Sequence, residues 1–410
     1  MKKNRKILFV LSGNLSTTPR AVKNIKLAAN YFRVDVVKVN RSLYWTNLDE
    51  KIENGLNLSS LSINPGRSNK YVWLKTQIIF SLSRLLIPCF RKSLKFRAYS
   101  CQKIFIPITR ALHRKNEHYD LVIGHGSGTL YPVFSFAKKR NIPFALDIED
   151  YHPGEEKNAV RKKRIELLMK SILLEANFVT YASPLIFENS LKLLNKKAHT
   201  DINRKEDHEA VHPGRPTHIV INNSFPSSEF QFQDSGPESL SLNFVWFSQN
   251  ISYNRGLEQV IEALRPSRKE IKLYLIGHLY DSFDKEWITP NKDFIKILPP
   301  LSQEELHKLL TGFDIGLAIE LNKTDFNRQI CLTNKIFAYT QAGLFTLATD
   351  TPAQKLFMDN YPWSGTICGQ NTVDMQETIT ELLNKKEQIR ANKKQRYQKA
   401  RSLAWENESK

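Results

Sequence analysis

A chain of 410 residues is long for a single domain and leaves two domains a full core each. With 41% hydrophobic and 25% charged residues and no low-complexity tract, it is globular and neither disordered nor fibrous. A net charge of +19 points to acidic partners, and with no nucleic-acid motif beside the charge, nucleic acid is not the expected one.

Cys89, Cys101, Cys331 and Cys368 are scattered, without CxxC or His-paired spacing. They read as reduced thiols of a cytoplasmic protein, with neither a metal site nor a disulfide framework. The opening MKKNRKILFVLSGN runs from basic to apolar, but the apolar run is short and no small-residue cleavage site follows before Pro19. A first buried strand is therefore expected there instead of a leader. No window approaches the roughly eighteen apolar residues of a membrane-crossing helix.

In chain order, residues 6–13 (KILFVLSG) predict a strand, and the turn after it ends in Thr18 as helix N-cap with Pro19 at the first helical position. Residues 32–39 give the next strand. Between Glu53 and Glu117 stand twelve Lys or Arg and no acid, interleaved with Trp73, Phe80, Leu85, Phe90, Phe96 and other bulky apolar residues. This helical insertion, near 67–115, admits two readings: a helix pair with a solvated basic face, or a face that lies on an anionic membrane surface.

Residues 119–126 (YDLVIGHG) predict a strand tipped by His125, followed by a helix over 130–140 and the strand of IPFALDIED, 142–150. A charged helix over 155–175, a strand at 178–183, a helix over 184–194 and a strand at 218–223 complete one doubly wound parallel sheet. Residues 196–217 read as an extended loop, and 224–241 as an interdomain linker. The alternation then restarts, with strands at 243–249, 271–277 and 294–298 and helices over 255–264 and 302–311. The domains expected are 1–223, 242–372 and a C-terminal helical segment, 373–410, packing back across both.

The most informative stretch is 314–352. It reads as a buried strand (315–319), a polar loop ending at Thr333, a helix over 334–342, a stop at Gly343 and a second strand (344–348). A loop feeding a helix N-terminus beside the carboxyl end of a parallel strand presents free N–H groups and a positive dipole end, which suits a diphosphate.

Three stretches carry a resemblance to the GT-B glycosyltransferases of family 4. FSQNISYNRGLEQVIEAL (247–264) resembles the strand-to-helix segment whose basic residue before Gly reaches the donor diphosphate, here Arg255. LTNKIFAYTQAGLFTLATDTPAQ (332–354) resembles the nucleotide-binding helix and following strand. GNLSTTPR (13–20) is similar to the first-domain loop that faces the donor. The resemblance covers the second domain well and the first only patchily. It implies two Rossmann-like domains facing a central cleft and a metal-independent, retaining transfer from a nucleotide-diphosphate sugar, with no other cofactor, to a glycan or lipid-linked acceptor. It also implies work on cell-envelope polysaccharide at the inner face of the membrane.

The expected donor contacts are Gly13, Arg20, Gln249, Arg255, Glu320, Asn327, Thr333, Asn334 and Lys335. A cation in a helix's first turn is disfavoured by the dipole, which argues for a functional reason at Lys335 and at Arg255. Glu149, Asp150 and His152, at the end of a strand, are the candidates for positioning or deprotonating an acceptor hydroxyl, with Asp147 and His125 nearby; capping of the next helix is the plainer reading. Two departures from the family pattern stand out. The positions of its paired glutamates hold Ile330 and Ala338, and Gln249 stands where an Arg usually does. A non-catalytic nucleotide-sugar-binding partner and a nucleotide-sugar epimerase are the alternatives.

Overall fold

Buried apolar runs flanked by amphipathic helices form the strands. The structure, a computed structural model, describes residues 5–194, 217–232, 241–321 and 325–408. The extended loop expected at 196–217 lies almost wholly outside them. The chain divides into two compact units, Met1–Val220 and Ile221–Lys410.

The first unit holds strands β1 (Lys6–Leu11), β2 (Arg33–Val39), β3 (Ser59–Ile63), β4 (Leu121–His125), β5 (Phe144–Ile148), β6 (Phe178–Tyr181) and β7 (Thr217–Val220). Their spatial order is β3-β2-β1-β4-β5-β6-β7, and each pairing is parallel. The chain therefore winds outward from β1 to β3 and returns on the other side of β1 at β4. This reversal opens a crevice at the carboxyl ends of β1 and β4. Five of the six β1 residues are buried because helices cover both faces of the sheet. The basic insertion forms three helices, Lys70–Leu86, Leu94–Cys101 and Phe105–Arg114.

The second unit holds β8 (Leu242–Ile251), β9 (Ile271–Leu279), β10 (Ile295–Leu298), β11 (Ile315–Ala318), β12 (Phe345–Thr349) and β13 (Gly365–Cys368), in the order β10-β9-β8-β11-β12-β13, all parallel. Its reversal lies between β8 and β11. The described part of the stretch expected as a linker belongs to this unit. Phe225 and Phe230 are buried in its core against the His307 ring, and Glu229 holds His307 Nδ1 at 2.6 Å. The helical segment expected over 373–410 is broken, beginning with Thr372–Asn384, Lys386–Ala391 and Lys393–Ala400. The breaks let Arg390 clasp Asp314 at 3.0 Å and Arg396 reach the Gly343 carbonyl at 3.0 Å. Among the described residues no helix is long and apolar enough to cross a membrane.

Candidate functional site

In the second unit the β8–β11 crevice gathers a cationic edge. Gly256 opens the helix Leu257–Leu264 with φ at +78°, and a Cβ there would lie 2.4 Å from Ile319 Cγ2. Only glycine allows that approach. It presses Arg255 and Gly256 against residues 319–321, which carry Glu320 at the end of β11. Arg255 is half-buried and, among the described residues, pairs with no carboxylate. Glu320 is buried and its backbone is tied to β12: Thr349 Oγ1 accepts the Glu320 N–H at 2.9 Å and donates to its carbonyl at 2.7 Å. Lys335 Nζ sits 3.3 Å from Glu320 Oε1 and 5.6 Å above the Trp246 ring, while Arg328 approaches Glu320 Oε2 at 3.5 Å. The Glu320 charge thus holds two cations beside the start of the helix Asn334–Gln341.

Thr333 is the N-cap of that helix but makes no side-chain cap bond, and its Oγ1 is buried without a partner among the described residues; Ile336 N–H donates to the Thr333 carbonyl at 3.2 Å, leaving the Asn334 and Lys335 N–H groups available. Asn334 Oδ1 accepts a bond from Asn223 Nδ2 at 2.5 Å, which fixes the loop into the helix. Ala338 and Ile330, where the family places glutamates, are both buried in the core, so no carboxylate reaches the crevice from either position. Among the other expected donor contacts, Gln249 is exposed on β8. Asn327 is buried within the short helix Phe326–Ile330, where a loop was expected. Residues 322–324 of that loop lie outside the described residues.

In the first unit the crevice is lined by the loop after β1 and the turn after β4. Gly126 takes φ +80°, and a Cβ on Gly128 would meet Ser12 Cβ at 2.6 Å, so these glycines let the two loops close on each other. Gly13 needs no such freedom; a Cβ there meets only ordinary contacts. The loop is pinned by Asp49, whose carboxylate accepts bonds from Ser16 N at 2.8 Å, Asn14 Nδ2 at 3.0 Å and Lys38 Nζ at 2.8 Å. Burial alone would raise the Asp49 pKa, but these donors hold it below its ordinary value. Sequence reasoning missed Asp49, because it acts on a loop about thirty residues earlier in the chain.

Below that loop lies a buried ion cluster. Arg20, expected at the donor, instead clasps Asp147 with Nε at 2.7 Å and Nη2 at 2.8 Å, and Thr180 Oγ1 donates to the same carboxylate. His125 Nδ1 lies 3.0 Å from Asp147 Oδ2 and 3.6 Å from Glu149 Oε1, and its ring stacks on Phe9. Burial alone would lower the His125 pKa. The Asp147 and Glu149 carboxylates overcome it and push the pKa up to about 9. Asp147, although burial opposes ionisation, is held well below the usual carboxylate range by Arg20 and His125. Glu149 is thus drawn to His125, whereas His152 is buried and turns Nδ1 toward Glu155 at 3.2 Å; Asp150 is half-buried. His125, Asp147 and Glu149 bring their ligand atoms within 4.8 Å of one another. Since Arg20 already engages both Asp147 oxygens, the arrangement suits a charged imidazole better than a metal ion.

No protein-family model and no curated protein sequence matches this chain. Solved structures do. HepE from Anabaena, solved with UDP, is 12% identical with a TM-score of 0.63, over 98% of this chain and 95% of its own. Sucrose-phosphate synthase from Thermosynechococcus elongatus is 11% identical with a TM-score of 0.64, over 99% of this chain and 96% of its own. A UDP-N-acetylglucosamine 2-epimerase shares the architecture at 10% identity and a TM-score of 0.52, over 97% of this chain and 91% of its own. The chain thus has the GT-B fold, two doubly wound parallel-sheet units of seven and six strands.

Proposed function

We propose that this protein is a glycosyltransferase that moves a sugar from a nucleoside-diphosphate donor to a glycan or lipid-linked acceptor. The observation that carries the reading is the cationic edge at the β8–β11 reversal, where Arg255, unpaired among the described residues, follows β8 and Lys335 with the start of the helix Asn334–Gln341 follows the neighbouring β11. A diphosphate placed there meets two cations and free N–H groups, the means of stabilising a leaving group as charge develops on it. HepE, of the same fold, was solved with UDP and with UDP and glucose. Glu320 offers a fixed carboxylate for a donor ribose hydroxyl, in place of the glutamate that Ala338 lacks.

In the proposed step the bond from sugar C1 to the β-phosphate oxygen breaks as the acceptor oxygen bonds to C1 through an oxocarbenium-like state. The acceptor proton passes to the released phosphate, so the configuration is retained without a protein nucleophile, and Arg255 and Lys335 supply the positive charge in place of a divalent cation. In the first unit Glu149, half-buried just after β5 and drawn to the buried His125 at 3.6 Å, would hold a sugar or acceptor hydroxyl. Asp150, and His152 held toward Glu155 at 3.2 Å, would support the loop.

A membrane-surface location is part of the same proposal. Tyr71, Leu74, Ile78, Leu82 and Leu85 form one exposed apolar stripe along the helix Lys70–Leu86, among the insertion's cations and with no acid in it. That favours work on a cell-envelope glycan at an anionic bilayer, by a protein whose thiols stay reduced in the cytoplasm.

The test is release of UDP from a panel of UDP-sugars, with and without lipid-linked acceptors. Acceptor-dependent release supports the transferase. UDP binding with no turnover would support the non-catalytic partner that Ala338 suggests, and acceptor-free interconversion of UDP-sugars the epimerase. Vesicles of phosphatidylglycerol should retain the protein and lose it when Arg91, Lys92, Lys95 and Arg97 become Ser; unchanged retention would refute the membrane reading.

A further inference from the structure

The crevice of the first unit carries a cavity that the donor reading does not use. It has a volume of about 290 Å³ and is lined by Ser12, Arg41, Lys103, Ser127, Gly128 and Arg161, with no carboxylate on its wall. Arg41 Nη2 donates to the Ser12 carbonyl at 3.1 Å, which turns the guanidinium over the loop after β1, and among the described residues no carboxylate pairs with it. Lys103 donates to the neutral amide of Gln77 and keeps its charge as well. Arg161 is offset by Glu156 at 2.9 Å. The wall therefore holds a net excess of positive charge beside two serine hydroxyls. Gly128 lets its walls approach: a side chain there would meet Ser12 and Ile104 at under 3 Å.

Small volume, convergent cations, hydroxyl donors and closely approaching backbone are the chemistry of a phosphate-ester site. Its position narrows the ligand. Ser127 and Gly128 follow His125 by two and three residues, so an anion bound here lies beside the buried imidazole that draws in Glu149, the group proposed to hold the acceptor hydroxyl. On the other side, Ile104 lines the cavity, and Lys103 lies 5.1 Å over the Phe80 ring and bonds Gln77, both on the helix Lys70–Leu86. A phosphate seated here has cations on one side and the apolar Phe80 and Ile104 side chains on the other.

The geometry points to this cavity as the seat of an acceptor phosphate ester carried on an apolar chain: the acceptor is a lipid phosphate, held by Arg41, Lys103 and Arg161. The inference rests on the transferase reading for the word acceptor, but binding at the cavity is independent of catalysis.

The test is calorimetric titration of the full chain with dodecyl phosphate below its micelle concentration, with glucose 1-phosphate, and with dodecyltrimethylammonium as a cationic control. Dodecyl phosphate should bind at least tenfold more tightly than glucose 1-phosphate, and the control should not bind. The variant R41Q/K103Q/R161Q should lose at least tenfold in dodecyl phosphate affinity while its UDP affinity stays within twofold. The donor-site variant R255Q should do the reverse. Equal binding of the two phosphates would overturn the lipid assignment. Loss of dodecyl phosphate binding in R255Q with none in the triple variant would overturn the cavity itself. Because the three cavity side chains are at the surface, an unchanged circular dichroism spectrum and melting curve of the triple variant separate loss of binding from loss of fold. Failure of UDP binding in the wild type would sink the donor reading and leave the cavity result standing.

Discussion

Lys335 already has part of its charge neutralised by Glu320 at 3.3 Å, whereas Arg255, at the other start of a helix in the same crevice, is unpaired among the described residues. A diphosphate gains more from the free guanidinium than from an ammonium it must share. Arg255→Gln is therefore expected to weaken UDP binding by ten- to a hundredfold, about 1.5–3 kcal/mol for bonds to a charged partner. Lys335→Gln should cost less affinity but lower stability, because it strips Glu320 of one of two cations and leaves a buried carboxylate less compensated. Calorimetry with UDP and urea unfolding read the two effects apart, and equal affinity losses would contradict the assignment. His125 makes a second prediction. Its pKa is raised in the fold to about 9, so its contribution to stability is complete below its unfolded value of about 6.5 and disappears as pH rises through about 9. Asp147, shifted in the opposite direction, stays ionised throughout that window. The urea midpoint of the wild type should fall between pH 6.5 and 9.5, and His125→Gln should flatten that fall; parallel curves would show that His125 does not titrate there.

Among the elements, the turn that aims Arg255 depends on Gly256. Any β-carbon there must both adopt a left-handed backbone and displace Ile319 Cγ2 from 2.4 Å. Gly256→Ala should destabilise the protein by about 2–4 kcal/mol, the left-handed cost plus overpacking. UDP affinity should fall with it, since Arg255 precedes the shifted residue; a variant with wild-type urea midpoint and affinity would show that the turn relaxes freely. The elements legible in the sequence were those with apolar runs buried on both faces. The unanticipated strands β3 and β13 are edge strands of their sheets. The Ser59–Ile63 strand is exposed at every residue but Ile63, so no hydrophobic run marks it. The same limit holds for the site. Glu320, Thr333, Asn334 and Lys335 were legible because they crowd one loop-to-helix unit. The Arg20–Asp147 clasp joins residues 127 apart in sequence, and no local pattern reveals that Arg20 serves a buried carboxylate in its own unit.

Over the whole molecule the chemistry is partitioned by unit. The insertion between Glu53 and Glu117, with its twelve cations, and the cavity proposed for a phosphate ester belong to the first unit, and the edge proposed for the donor diphosphate to the second. A ligand that binds only the folded state stabilises the segments it touches, by about 2.7 kcal/mol at a hundred times its dissociation constant. In each unit the segments touched are loops at the carboxyl ends of strands, where backbone N–H groups exchange most readily until an anion orders them. Hydrogen exchange on the full chain should therefore give two separate footprints. UDP should slow exchange at Arg255–Leu257 and over Thr333–Ile336, with little change in the first unit. Dodecyl phosphate should slow it at Ser12–Asn14 and Ser127–Thr129, with little change in the second. The footprints should persist one at a time in the complementary variants: UDP's in R41Q/K103Q/R161Q and dodecyl phosphate's in R255Q. Both ligands slowing the same segments would mean that a single anion site serves both and that the division of donor and acceptor between the units is wrong.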